Sequence, residues 1–152
     1  MFKQFVLFCI LPFILSACSI SAQPYAIYSA DEEKQAQVKI AGIRADWNTK
    51  RFETLFDEGG PKFRSQAEKS LVIAKIQQAF VQYGKFEKSE DSKFKVLIVS
   101  PLQVRAAFHS TFQKGEVSER ITLIKIDGVY KLDGYIMMAR AVDLDKLLSD
   151  DY

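Results

Sequence analysis

Residues 117–138 read VSERITLIKIDGVYKLDGYIMM, in which two stretches rich in apolar and β-branched residues flank the dipeptide Asp127-Gly128. Asp-Gly tolerates the positive φ angles of a type I′ turn, so this segment predicts an antiparallel β-hairpin with a two-residue turn. The glycine at position 134 gives the second strand a place to bend. The turn sets a register with three facing pairs: Ile126 with Val129, Leu123 with Leu132, and Ile121 with Gly134.

The segment before the hairpin is also typical of a sheet. Phe94 to Val99 is apolar enough for a strand covered on both faces, and Pro101 marks its end. The stretch 85–93 alternates positive and negative charge, which is typical of an exposed loop or a strand edge and is also compatible with a docking surface. We favour the exposed loop. Side chains alternate after Pro101, with Val104, Ala106, Phe108 and Phe112 on one face and Arg105, Ala107, His109 and Thr111 on the other.

The first half of the chain has helical periodicity. Ser29 and Glu32 have the spacing of a capping box and predict a helix that starts near Ala30. Ser65 and Glu68 predict a second capping box. The apolar positions recur at helical spacing in three segments: Ala36, Ile40, Ile43 and Trp47 in the first, Phe52, Leu55 and Phe56 in the second, and Val72, Ile73, Ile76, Ala79, Phe80 and Tyr83 in the third.

The order of these elements predicts the fold class. Gly59-Gly60-Pro61 makes the chain turn between the second and third segments. Asp143 is placed to cap a closing helical turn that ends the chain. We therefore expect one α+β domain over residues 29–152, in which N-terminal helices pack on a curved antiparallel sheet.

Composition excludes several classes of function. Lys and Arg number 21 against 19 Asp and Glu, so the chain has no charge excess that would favour nucleic acid as a partner. The chain has one histidine and two cysteines, Cys9 and Cys18, so its composition does not indicate a zinc or thiol site. Gly59-Gly60 follows no strand, so it predicts a turn and no phosphate-binding loop. We expect no cofactor and no metal.

The N-terminus resembles the signal and lipobox of bacterial lipoproteins. Lys3 precedes the apolar run Phe5 to Leu15, and Leu15-Ser16-Ala17 leads directly to Cys18. An uncleaved membrane helix is the alternative, but the run is short for a hydrocarbon core about 30 Å thick. The resemblance implies a signal peptide over residues 1–17 and a lipidated tether over residues 18–28.

The same resemblance implies a location for the protein. Cys18 would become the mature N-terminus and carry several acyl chains, palmitate among them, which would hold the domain on the lipid bilayer of a bacterial cell envelope. Cys9 would leave with the signal peptide. In a Gram-negative cell, Ser19 after the cysteine favours the outer membrane, with the domain facing the periplasm.

The sheet segment resembles a second family. Residues 112–115, 119–123 and 127–135 look like the last strands of small envelope proteins that carry a domain of unknown function in the nuclear-transport-factor-2-like, or cystatin-like, superfamily. Tyr130 stands where these proteins commonly have Trp, and Tyr83-Gly84 where they have Leu-Gly. The resemblance implies a cone-shaped domain of the cystatin-like or ketosteroid-isomerase-like kind. It also implies that a second copy can cover the sheet in a homodimer.

The resemblance also implies a candidate active site. In enzymes of this superfamily, an acid or base and a tyrosine donor move a proton on a small molecule bound inside the cone. The candidates here are His109, Asp133, Tyr135 and Arg105. Three of them have a structural alternative: His109 would point to the outer surface of the sheet, Asp133 would oppose Thr122 in a cross-strand hydrogen bond, and Tyr135 would be a core aromatic.

Three functions follow from these residues. The first is a non-enzymatic envelope binding module with an envelope protein as partner. The second is a carrier of a small apolar ligand, for which Phe108, Phe112, Met137 and Met138 could line the cavity or simply fill it. The third is an isomerase or dehydratase. We favour the first.

Overall fold

The computed structural model describes residues 30–97 and 99–149. The lipobox, Cys18, the tether and the predicted cap at Ser29 lie outside these residues. The helices are α1 (Ala30–Asn48), α2 (Phe52–Asp57), α3 (Pro61–Ser65), α4 (Lys69–Tyr83) and α5 (Leu144–Leu148). The strands are β1 (Phe86–Leu97), β2 (Gln103–Phe112), β3 (Gly115–Ile126) and β4 (Val129–Met138). None of the described helices is long and apolar enough to cross a membrane.

The four strands form one open antiparallel sheet in the order β1-β2-β3-β4. Asp127 and Gly128 have φ angles of 50° and 77°, the left-handed backbone that the predicted two-residue turn requires. The pairs Ile126 with Val129 and Leu123 with Leu132 are confirmed. The α+β class is therefore confirmed, with helices followed by an antiparallel sheet.

One predicted pair in the hairpin is wrong. Ile121 faces Tyr135, and Gly134 faces Thr122. The register shifts at Thr122 and Leu123, where β4 carries Asp133 as an extra residue. Counting residue pairs outward from the turn cannot reveal such a bulge, because the bulge depends on what packs against the strand.

Strand β1 is longer than predicted. The charged stretch 85–93, for which the sequence favours an exposed loop but also allows a strand edge, forms most of the strand from Phe86 onward. Its side chains are largely exposed because β1 is an edge strand, and its register with β2 shifts twice. Charged residues and bulges are common at sheet edges, where they oppose pairing with another chain.

The helices follow the predicted stripes, with one corrected start. Helix α1 begins at Ala30 and buries Ala36, Ile40, Ile43 and Trp47. The predicted capping box at Ser65 is wrong. The Ser65 hydroxyl donates to the Lys62 carbonyl at the end of α3, and α4 begins only at Lys69. Glu68 takes the N-cap position without a side-chain hydrogen bond.

Helices and C-terminal residues cover opposite faces of the sheet. The main core joins α1, α2, α3 and α4 to the face that carries Ala106, Phe108 and Ile121. On the other face, Ala107 packs against the closing segment that contains Val142, Leu144, Leu147 and Leu148. Asp143 caps α5 as predicted, because its carboxylate accepts the amide protons of Asp145 and Lys146. The described residues thus pack against both faces of the sheet.

Candidate functional site

A groove of about 440 Å³ lies between α4 and strand β4. It exists because α4 covers the sheet incompletely: Val72 is the only residue of this helix that is fully buried. The apolar walls come mainly from five elements and include Trp47, Leu55, Phe63, Val72, Ile76, Ala79, Leu132, Tyr135 and Met137. The volume falls within the range of small-molecule sites.

The polar residues of the groove lie toward solvent. Gln66 follows α3, and Lys75, Gln78 and Gln82 lie on one side of α4. All four residues are exposed. An apolar interior with a few polar groups at its edge is the usual composition of a small-molecule site.

Trp47 contributes to the inner wall and has no spare donor. Its indole Nε1 donates to the carbonyl oxygen of Gly84 at 2.9 Å. Its ring packs against Phe80 and Phe112, with centroids 5.6 and 5.9 Å away, in tilted and edge-on contacts. The inner wall at Trp47 therefore presents apolar surface only.

Behind the groove lies a buried polar network centred on Glu119, which is 0% exposed. Its Oε1 accepts hydrogen bonds from Arg44 Nη2 and from the Ser110 hydroxyl, both at 2.6 Å. Its Oε2 accepts from the Tyr135 hydroxyl at 2.5 Å. A buried carboxylate requires such compensation, and here both oxygens have partners.

The network also determines the state of Tyr135. Burial raises the pKa of its hydroxyl well above the ordinary value, and the Glu119 carboxylate raises that pKa further. Both causes disfavour a phenolate. Tyr135 is therefore neutral, and its hydroxyl donates a hydrogen bond to Glu119. Its ring lines the groove.

Arg44 carries the network to a second, smaller groove of about 300 Å³ between α1 and strands β1 and β2. Its guanidinium lies 4.0 Å from the ring centre of Phe86 and 4.4 Å from that of Phe108. Both rings stabilise the charge by cation–π contact. The charge of Arg44 is thus balanced by Glu119 and enclosed by aromatic rings.

The catalytic candidates from the sequence do not meet in one site. His109 lies on the face of the sheet that the closing segment covers. Its Nε2 is 2.8 Å from the Val142 carbonyl, and its Nδ1 is 3.6 Å from the Asp91 carboxylate. Arg105 donates to the Leu148 carbonyl at 3.3 Å on the same face. Both residues hold the closing segment, and Tyr135 lies on the opposite, helix-covered face.

Asp133 also has a structural role, though not the predicted one. The expected cross-strand bond to Thr122 is wrong, because Asp133 is the extra residue of the β4 bulge. Its Oδ1 accepts the amide proton of Lys62 at 3.1 Å, near the start of α3. Asp133 is 3% exposed and serves as a distant cap for this helix.

The ligand-binding candidates from the sequence do not line one common cavity. Met137 lines the large groove. Phe108 lines the smaller groove beside Arg44. Phe112 packs against Trp47, Tyr83 and Phe86 and lines neither groove. Met138 contacts the cluster on the outer face.

The sequence interpretation missed Arg44 and Glu119. A signal was present for Glu119, because it occupies an apolar-facing position of β3 between Val117 and Ile121. A charged residue at such a position requires a buried partner. The identity of the partner depends on the packing of α1 and could not be read from the pattern.

Neither the protein-family models nor the curated proteins provide a match to this chain. Among residues 30–97 and 99–149, no three His, Cys, Asp or Glu side chains are grouped so that they could hold a metal ion.

Proposed function

We propose that this protein is a non-enzymatic, lipid-anchored binding module of the bacterial cell envelope, and that the groove under α4 binds a small apolar ligand. The groove is the observation that carries the proposal. Its walls are apolar, its volume is about 440 Å³, and α4 leaves it open along β4. A concave apolar site with a few polar groups at its edge is the usual place for a small-molecule ligand.

The hydrogen-bonding groups behind the groove support binding over chemistry. Of the acid or base candidates, Tyr135 reaches the groove, but its hydroxyl already donates a hydrogen bond to Glu119. Glu119 itself is fully buried and paired with Arg44. Because these groups already satisfy one another, they stabilise the fold and do not need a substrate to complete them.

The finer fold assignment belongs to the same proposal. A cone-shaped, nuclear-transport-factor-2-like domain is supported by helices α1 to α4 on one face of a four-stranded antiparallel sheet. Pairing of two copies through the sheet would have to accommodate α5, which already covers the other face around Ala107.

The groove is tested by binding of N-phenyl-1-naphthylamine, an apolar dye whose fluorescence rises in apolar surroundings. We use the chain from Ser19 to Tyr152 after a cooperative unfolding transition has verified its fold. We expect saturable binding. Ala79→Trp, which places an indole in the groove, should abolish it.

Ala74→Trp is the matched control, because Ala74 lies on the exposed side of the same helix and does not line the groove. Dye binding should survive this change. Equal binding by wild type and Ala79→Trp, or no saturable binding by wild type, would overturn the proposed ligand site.

The anchor is tested separately with the full chain in a Gram-negative host. We expect incorporation of radiolabelled palmitate and partition into the detergent phase. Cys18→Ser should abolish both, whereas Cys9→Ser, in the proposed signal peptide, should change neither. Labelling that persists in Cys18→Ser would contradict the anchor.

A further inference from the structure

We propose that the groove selects a single-chain anionic amphiphile, with its hydrocarbon chain against the apolar walls and its carboxylate at Lys75. This inference rests on the proposed function and names the ligand class of the same groove. Its support comes from the shape of the groove, the chemistry of its inner wall and the charge at its edge.

The groove is elongated along α4. Its lining residues run from Val72 to Tyr83 on this helix, a rise of about 16 Å. The opposite wall follows β4 from Leu132 to Met137. An apolar lining that extends along both elements can accommodate an extended hydrocarbon chain.

The inner wall requires an apolar occupant. The Trp47 indole donates to the Gly84 carbonyl, and the Tyr135 hydroxyl donates to Glu119. A buried polar group on the ligand would find both donors already used and would lose its hydrogen bonds to water without replacement. The part of the ligand against these two residues must therefore be hydrocarbon.

The edge of the groove favours an anionic end. Lys75, Gln78 and Gln82 recur at helical spacing on one side of α4, so their polar ends line the same edge. Among the described residues that line the groove, none is Asp or Glu. With Gln66, the described lining of the groove thus contains one cation and three side-chain amides, and it contains no carboxylate to oppose the cation.

Lys75 is not neutralised by the protein. No ion pair joins it to any residue in the part of the chain that the structure describes. Several other lysines are paired with carboxylates: Lys39 with Glu58, Lys69 with Asp57, Lys88 with Glu90, Lys93 with Asp145, and Lys125 with Glu32. The Lys75 charge can therefore pair with a carboxylate of the ligand.

The test is displacement of the bound dye by three probes of equal chain length, dodecanoate, dodecanol and dodecylammonium, each below its micellar concentration. We expect dodecanoate to compete best and dodecylammonium worst. Lys75→Gln should weaken dodecanoate binding by about two- to fivefold, within the range of one solvent-exposed charge pair, and leave dodecanol binding unchanged. Lys75→Glu should reverse the order of the two charged probes.

Lys34→Gln is the matched control, since Lys34 is exposed on α1 and does not line the groove. It should leave all three affinities unchanged. If the three probes compete equally, or if Lys75→Gln has no effect on dodecanoate, the inference fails while the apolar ligand site stands. If the dye itself does not bind, the proposed function fails as well.

Discussion

At the scale of single residues, Glu119 is a buried charge held by several hydrogen bonds. It is fully buried and accepts hydrogen bonds from Arg44, Ser110 and Tyr135. A buried pair adds little net stability relative to an apolar pair, but the loss of one partner leaves a buried charge without compensation. The network therefore makes the packing of α1 on the sheet sensitive to a single substitution.

Glu119→Gln should lower the free energy of unfolding by about 3 kcal/mol, because the Arg44 guanidinium keeps its charge and loses the opposite one. Urea unfolding followed by circular dichroism measures the change. Glu116→Gln makes the same substitution on the same strand at an exposed position and should have little effect. Equal losses in the two variants would contradict a special role for Glu119.

At the scale of elements, the turn between α2 and α3 is hydrogen-bonded to β4. The amide of Gly60 donates to the Leu132 carbonyl at 2.7 Å, and the amide of Lys62 donates to Asp133. A Cβ atom on Gly60 would lie 2.6 Å from Asp133 Oδ1 and 2.9 Å from Ile124 Cγ2. Glycine is needed here for space, since its φ of −71° is open to any residue.

Gly60→Ala should therefore destabilise the protein by about 1 to 3 kcal/mol through overpacking. Gly42→Ala is the opposite case, because Gly42 lies inside α1 with open space where a Cβ would project. Alanine there should stabilise by about 0.5 to 1 kcal/mol through helix propensity. Thermal unfolding of both variants checks the pair, and a Gly60→Ala variant as stable as wild type would refute the close approach.

At the scale of the whole molecule, contacts between distant segments join the first helix to the last hairpin. Glu32, near the start of α1, accepts from Lys125 Nζ at 2.9 and 3.0 Å and from the Tyr130 hydroxyl at 2.6 Å. Lys125 lies on β3 and Tyr130 on β4. At the other end of α1, the Asn48 side chain both donates to and accepts from the backbone of Phe86.

The Glu32 contacts predict a dependence of stability on pH. The hydrogen bond from Lys125, followed by that from Tyr130, lowers the pKa of Glu32 below its ordinary value of 4.5. A carboxyl with a lower pKa in the folded state contributes stability above its unfolded pKa and loses it as the pH falls through the folded pKa. Wild type should therefore lose stability relative to Glu32→Gln on acidification.

Urea unfolding from about pH 6 down to about pH 3 measures this difference. Lys125→Met provides the control background, because it removes the largest cause of the lowered pKa. In that background, Glu32→Gln should have a much smaller pH-dependent effect. A difference between wild type and Glu32→Gln that stays constant with pH would contradict the prediction.

What could be predicted from the sequence is what local chemistry specifies. Asp127-Gly128 specifies its own turn, because the left-handed φ angles depend on these two residues and not on the rest of the fold. The buried stripe of α1 and the Asp143 cap of α5 depend on spacing within a few residues. The α+β class followed from the same local periodicities.

The tertiary structure alone decided the features that join distant segments. Arg44 and Glu119 are 75 residues apart, and Asp133 and Lys62 are 71 apart. No local pattern specifies such pairs, so the Asp133 bulge differed from the predicted register. The groove arises for the same reason: the distance between α4 and β4 is set by the side chains packed between them, whereas the sequence specifies only which side of each element is apolar.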